Sequence, residues 1–136
     1  MGENDLLRLL PFALAPRPLP DNRGLAGPRY DLIKVQKRVV GEGSIRLITE
    51  KCQKDVLALR WTTAEVVEVL HALEHKHYRD SSWCETGVGM AVDCDAYTID
   101  VDVRTVVPSS TGVNIYIKYG FTMLGTSLLI ISCHPS

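Results

Sequence analysis

This chain lacks most of the short signatures that announce an enzyme class. None of its four cysteines, Cys52, Cys84, Cys94 and Cys133, forms a CxxC pair, so a zinc ribbon or a dithiol redox motif is not expected. There is no GxSxG elbow, no P-loop and no GxGxxG turn, which sets aside the usual serine hydrolases, nucleotide hydrolases and dinucleotide enzymes. Neither charge sign prevails: 15 Lys and Arg face 16 Asp and Glu, a formal charge of −1. That balance gives no overall pull toward nucleic acid or membrane. No apolar run approaches the roughly 18 residues of a transmembrane helix. The start, Met-Gly-Glu-Asn-Asp, with Arg8 and Pro11 interrupting the apolar residues, does not read as a secretory signal. A cytoplasmic protein with reduced thiols is the expectation.

What is present is uneven. Arg29, Lys34, Lys37, Arg38, Arg46, Lys51, Lys54 and Arg60 make one stretch basic, whereas Glu85, Asp93, Asp95, Asp100 and Asp102 make a later one acidic. Such asymmetry permits a local basic patch on a near-neutral protein. With 136 residues, one domain with a real core is expected.

Residues 1–28 read as an extension, because Pro11, Pro16, Pro18 and Pro20 stop any helix begun at Asp5. It is expected to be flexible, with the folded domain spanning 29–136. Leu32, Val35, Val39 and Val40 share a helical face, and Gly41 and Gly43 would end that helix. A short strand over 44–48 and a helix over 50–59 follow. Thr62 and Glu65 have the spacing of a capping box; behind them Val66, Val69, Leu70 and Leu73 give the stripe of a third helix running to about His77. Helices first and an antiparallel meander afterwards make an α+β domain.

The meander is expected over 97–107, 114–121 and 127–134. Tyr97, Ile99, Val101 and Val103 alternate with polar residues, as do Ile115, Ile117, Tyr119 and Phe121, the period of a half-buried strand. A hairpin loop at Met123-Leu124-Gly125 would pair Thr122 with Thr126, Tyr116 with Ser132 and Asn114 with His134. A turn over 108–112 would pair Val107 with Val113, Arg104 with Tyr116 and Asp102 with Lys118. Both registers put Asp102, Arg104, Asn114, Tyr116, Lys118, Ser132 and His134 on one polar face.

That face is the strongest chemical candidate. His71 and His75 share a helix face but lack the HExxH glutamate and a nearby third ligand, so no metal is expected. Cys133 neighbours His134, yet adjacent strand residues point to opposite faces, so Cys133 reads as core. An imidazole, with a reference pKa of about 6.5, gains or loses a proton near neutral pH. Arg79, Arg104 and Lys118 can hold a phosphate and stabilise charge on its oxygens. No metal is needed if the attacking group is a ribose 2′-hydroxyl, which RNA alone supplies. The plainer reading is an Asp102–Lys118 cross-strand ion pair and an Arg104–Tyr116 stacking pair.

The order of residues resembles the MqsR toxin family, ribosome-independent mRNA interferases with a RelE-like fold. The resemblance runs through YDLIKVQKRVVGEGSIRLIT, through LALRWTTAEVVEVLHALEHKHYRD with its Tyr78-Arg79 pair, and through NIYIKY and LLIISCHPS. It covers about three quarters of the chain. It implies that the family's basic residue after the third helix falls on Arg79, its strand tyrosine on Tyr116 and its C-terminal catalytic lysine on His134. The family's glutamine finds no match near residues 98–100, and 81–95 reads as an insertion. On this resemblance the expectation is a cofactor-free endoribonuclease toxin, held inactive by a helix-turn-helix antitoxin. Arg79, Tyr116 and His134 would be catalytic; Arg104, Lys118 and Asn114 would bind substrate. The alternative is a non-catalytic module of the same fold that binds protein or RNA.

Overall fold

The computed structural model describes residues 7–11, 15, 19–86, 91–121 and 127–136. Among these residues, three helices pack on one six-stranded sheet, an α+β architecture. The strands are β1 (Gly24–Leu25), β2 (Ile45–Leu47), β3 (Tyr78–Glu85), β4 (Ala91–Val101), β5 (Val113–Gly120) and β6 (Leu128–Pro135). Their order across the sheet is β1-β3-β4-β5-β6-β2. Every pairing is antiparallel except β2 with β6, which is parallel. No helix among the described residues is long and apolar enough to cross a membrane.

Each helix begins at a side-chain cap. Asp31 accepts from the Lys34 N–H to start α1 (Leu32–Arg38), and Thr49 accepts from the Cys52 N–H to start α2 (Glu50–Ala58). At α3 (Thr63–Ala72) the expected capping box is present: Thr62 accepts from the chain ahead of it, and the Thr62 N–H donates to the Glu65 carboxylate at 2.6 Å. Such caps satisfy N–H groups that have no partner inside the helix. Helix α1 stops at Arg38, before Gly41, so Val40 lies exposed rather than on the apolar face. The Gln36 amide donates to the Leu70 and Leu73 carbonyls, closing the open end of α3. Beyond α3 the chain does not continue as helix to His77; residues 75–77 form a 3₁₀ turn and lead into β3. The stretch expected as an insertion is thus largely sheet, β3 and the first half of β4.

The core lies between the helices and one face of the sheet. Val35, Val66, Val69 and Leu70 meet Ile99, Val101, Ile115, Ile117, Tyr119 and Ile130 there. Cys133 belongs to this core, as its strand position implied.

The described part of the N-terminal extension is built into the domain. Leu7 is buried, its carbonyl accepts from the Asp31 N–H, and the Leu9 N–H donates to the Arg29 carbonyl. Arg8 donates to the Asp93 carboxylate and, at 2.8 Å, to the Phe121 carbonyl. Strand β1 pairs with β3. Asp93, fully buried, also receives the Arg29 guanidinium at 3.0 Å, while the Tyr30 hydroxyl donates to its carbonyl. The neighbouring Asp95 accepts from Ser81 Oγ and from the N–H groups of Arg29 and Tyr30. Burial raises its carboxyl above the usual range against those hydrogen bonds. Two residues of the acidic stretch, Asp93 and Asp95, are thus the polar anchor of the chain's beginning.

Removing one partner of a buried ion pair leaves the others uncompensated, at a cost of about 3–5 kcal/mol. Asp93→Ala is expected to lose that much unfolding free energy in urea, and Thr62→Ala about 0.5–2 kcal/mol; a loss under 1 kcal/mol for Asp93→Ala would contradict the anchor.

Candidate functional site

Strand β5 lies in the middle of the sheet, and its alternation sets the site. Ile115, Ile117 and Tyr119 are fully buried in the core, so Asn114, Tyr116 and Lys118 stand on the opposite face. The faces match the sequence expectation; the partners do not. Across β4, Tyr116 pairs with Thr98 instead of Arg104, Lys118 with Ala96 instead of Asp102, and Val113 with Val101 instead of Val107. Across β6, Tyr116 pairs with His134 and Lys118 with Ser132, which moves Tyr116 off Ser132 and Asn114 off His134. At these pairs both shifts are even, six residues and two residues, and an even shift keeps each side chain on its face. Past a bulge between Lys118 and Tyr119 the offset turns odd: Tyr119 meets Ile130, and Leu129 and Ile131 pack on the face away from the helices. The expected Thr122–Thr126 pair and its hairpin loop lie outside the described residues.

The first shift has a local cause. Asp102 does not extend β4: its carboxylate accepts from the N–H groups of Arg104 at 2.9 Å and Thr105 at 3.1 Å. Such an aspartate folds the chain back on itself. Val106, whose φ is 57°, then donates to the Asp102 carbonyl. Trp61 Nε1 holds the turn from outside through the Val103 carbonyl at 2.8 Å. Arg104, expected to bind substrate, is therefore on an exposed turn past the end of β4 and off the polar face. Neither the Asp102–Lys118 ion pair nor the Arg104–Tyr116 stack exists.

The register brings other residues together. Arg79 sits at a bulge in β3, between the Tyr78–Tyr97 and Asp80–Ala96 pairs, and its Nε donates to Thr98 Oγ1 at 2.6 Å. Thr98 faces Tyr116, and Tyr116 faces His134. The row Arg79, Thr98, Tyr116, His134 thus crosses four adjacent strands. The Tyr116 and His134 rings stack, 5.3 Å between centroids and 23° between planes. His134 Nδ1 lies 2.8 Å from the Pro135 carbonyl. A carbonyl only accepts, so Nδ1 carries hydrogen and Nε2 is the nitrogen left for proton transfer.

Lys118 stands beside this row. Its Nζ is 5.7 Å from the Tyr116 ring centroid, and its charge acts on both the Tyr116 hydroxyl and the Cys84 sulfur. Burial pulls the ammonium down, but Cys84 and Tyr116 outweigh it and hold Lys118 above the usual lysine range. For Tyr116, burial pushes the phenol up and Lys118 offsets only part of that. The hydroxyl therefore stays neutral at pH 7 and works as a hydrogen-bonding group rather than as a phenolate.

A groove of about 450 Å³ opens at the Arg79 end of the row, lined among others by Lys76, His77, Thr98, Asp100 and Asn114. Asn114, expected to contact substrate, is here; its amide donates to Asp100 Oδ1 at 2.8 Å and its side-chain oxygen accepts from Ser136 Oγ. His77 Nδ1 accepts from the Glu74 N–H at 2.9 Å. Burial lowers its imidazole below the usual range, only partly offset by Glu74. His71 turns to the Val39 carbonyl. Among the described residues no three His, Cys, Asp or Glu side chains are grouped to hold a metal ion.

Two participants escaped the sequence reading. Thr98 was visible as a polar strand residue, but only the true register makes it the link between Arg79 and Tyr116. Cys84 lay in the supposed insertion, and nothing in its neighbours in sequence points to Lys118.

No protein-family model, no curated protein and no solved structure matches this chain.

The stack predicts a shielded imidazole. In proton NMR spectra, Tyr116→Ala is expected to move the His134 ring resonances downfield; unchanged resonances would mean the rings do not stack.

Proposed function

We propose that this chain is a metal-independent endoribonuclease of the MqsR toxin type, with a RelE-like fold, cleaving mRNA by attack of the ribose 2′-hydroxyl. One observation carries the reading. Arg79, Tyr116 and His134, which the resemblance names from three separate segments, come into a single row across β3 to β6.

In that row each group has a part suited to its surroundings. Arg79 takes the scissile phosphate, since a guanidinium pairs with phosphate oxygens in a fixed fork. Lys118, kept charged, adds a second cation for the charge that builds on the non-bridging oxygens. The neutral Tyr116 hydroxyl orients the 2′-hydroxyl toward phosphorus. As the 2′-oxygen bonds to phosphorus its proton passes to water, and as the bond to the 5′-oxygen breaks His134 Nε2 donates a proton to the leaving oxygen. Its Nδ1–H stays on Pro135 throughout, which fixes the ring while Nε2 changes state. A cyclic 2′,3′-phosphate and a 5′-hydroxyl result. The partner that restrains such a toxin would be a cognate antitoxin of helix-turn-helix type, and the compartment would be the cytoplasm. Arg104 has no role in this scheme.

A second reading draws on the groove itself. Glu74 and Asp100 line it, and carboxylates repel phosphate; a module that binds protein or RNA without turnover fits that charge.

The two readings part on single substitutions assayed with RNA in excess EDTA. His134→Ala is expected to slow cleavage about 10²–10⁴-fold while RNA binding persists. Arg79→Ala is expected to weaken cleavage strongly and Arg104→Ala to leave it near wild type. Cleavage by His134→Ala at the wild-type rate would remove the role given to His134, and no cleavage by the wild type would favour the binding module.

A further inference from the structure

The four thiols occupy two settings. Cys52 and Cys133 lie in the core under the helices, where burial pushes them up to about 11 and about 12. Cys84 and Cys94 lie on the other face of the sheet, in a small apolar cluster with Val92 and Ile131. Cys94 pairs with Ser82 and Cys84 with Val92, so the two cysteines are diagonal neighbours on β3 and β4. Cys84 Sγ is 3.5 Å from Ser82 Oγ, and Cys94 Sγ donates to the Val92 carbonyl at 3.7 Å. From β5, the Lys118 ammonium acts on the Cys84 sulfur electrostatically. The neighbouring Cys94 thiol contributes most, with Ser82 and Lys118 behind it, and together they bring the Cys84 thiol down to about 6 against the effect of burial. Cys94, enclosed completely, is pushed the other way. The surroundings thus favour the thiolate on Cys84 and the thiol on Cys94. A thiolate is the nucleophile in thiol chemistry, and electropositive settings select it.

We propose that Cys84 and Cys94 form a thiol pair oxidised by hydroperoxides, Cys84 attacking and Cys94 resolving. The Cys84 thiolate attacks one peroxide oxygen; a sulfur–oxygen bond forms, the oxygen–oxygen bond breaks, and the departing oxygen leaves as hydroxide or alkoxide and takes up a proton. Cys94 then attacks the Cys84 sulfenic acid; the sulfur–sulfur bond forms, and the departing hydroxide leaves as water with the Cys94 proton. Two thiols lose two electrons and the peroxide gains them. Diagonal cross-strand Cα atoms lie roughly 7–8 Å apart, beyond the usual reach of a disulfide. Closing the bond draws the end of β3 onto β4, beyond which, among the described residues, only the Glu85–Ala91 pair follows. A bond closed that way is readily reduced by a dithiol. It also removes the thiolate that faces Lys118, so oxidation reaches the Tyr116–His134 pair through a residue in contact with both Cys84 and Tyr116. The thiol pair does not depend on the RNA-cleaving reading.

The test uses the full folded chain and peptide mass spectrometry. Iodoacetamide is expected to alkylate Cys84 well ahead of the other three, with a rate that rises through about pH 6. Hydrogen peroxide at pH 7 is expected to link the Cys84 and Cys94 peptides with loss of two hydrogens, reversed by dithiothreitol. Cys94→Ser should stop at a sulfenic acid on Cys84 that dimedone traps, and Cys84→Ser should leave Cys94 unreacted. Alkylation of Cys52 or Cys133 as fast as Cys84 would overturn the proposal. So would peroxide treatment that leaves Cys84 a free thiol. Neither measurement involves RNA, so this proposal and the nuclease can fail separately.

Discussion

The alternation of β5 is the constraint on which the rest of the molecule depends. Its odd residues, Ile115, Ile117 and Tyr119, are the fully buried middle of the core, and that fixes Asn114, Tyr116 and Lys118 on the face away from the helices. With β4 on one side and β6 on the other, this one strand decides which residues of three others can meet. The row from Arg79 to His134 follows from it, as does the approach of Lys118 to Cys84. Gly120, at the end of β5, shows how close the strands come: a Cβ there would lie 2.6 Å from the Asp93 carbonyl oxygen.

The second determinant is polar and buried. Asp93 gathers Arg8, Arg29 and Tyr30 around one strand position, and Asp95 gathers Ser81 with the backbone of Arg29 and Tyr30. These two carboxylates tie the beginning of the chain to β4 and to the end of β5. Arg29, which sequence alone places in a basic stretch, is thereby spent inside the domain together with Arg8. Lys51 and Lys54 are likewise engaged, in helical pairs with Asp55 and Glu50. The cations left near the polar face are few, which concentrates attention on Arg79 and Lys118.

Local signals were legible from the residues because local chemistry produces them. The capping box at Thr62, the helix after Thr49 and the short strand at Ile45 each announce themselves within a few residues. The faces of β4 and β5 were legible too, because period-two alternation survives any even slip in register, whereas on β6 the bulge opposite Lys118 and Tyr119 turns Leu129 and Ile131 to the other face. The register itself was not. It depends on where β4 ends, and Val101 is followed by a turn held by the Asp102 side chain, where alternation alone would run on to Val107. The first half of β4 was hidden for a related reason: Asp93 and Asp95 read as part of an acidic stretch, and the Arg29 and Tyr30 groups that pair with them lie more than sixty residues away. Arg79 could be named by resemblance, yet its link to Thr98 could come only from the folded sheet.

The central claim is that the row from Arg79 to His134 cleaves RNA through the ribose 2′-hydroxyl, and the ends of the products test it most directly. Incubating an RNA transcript with the purified chain in EDTA and analysing the fragments by mass spectrometry is predicted to give 2′,3′-cyclic phosphate and 5′-hydroxyl ends. Fragments with 5′-phosphate and 3′-hydroxyl ends, or an intact transcript, would contradict it.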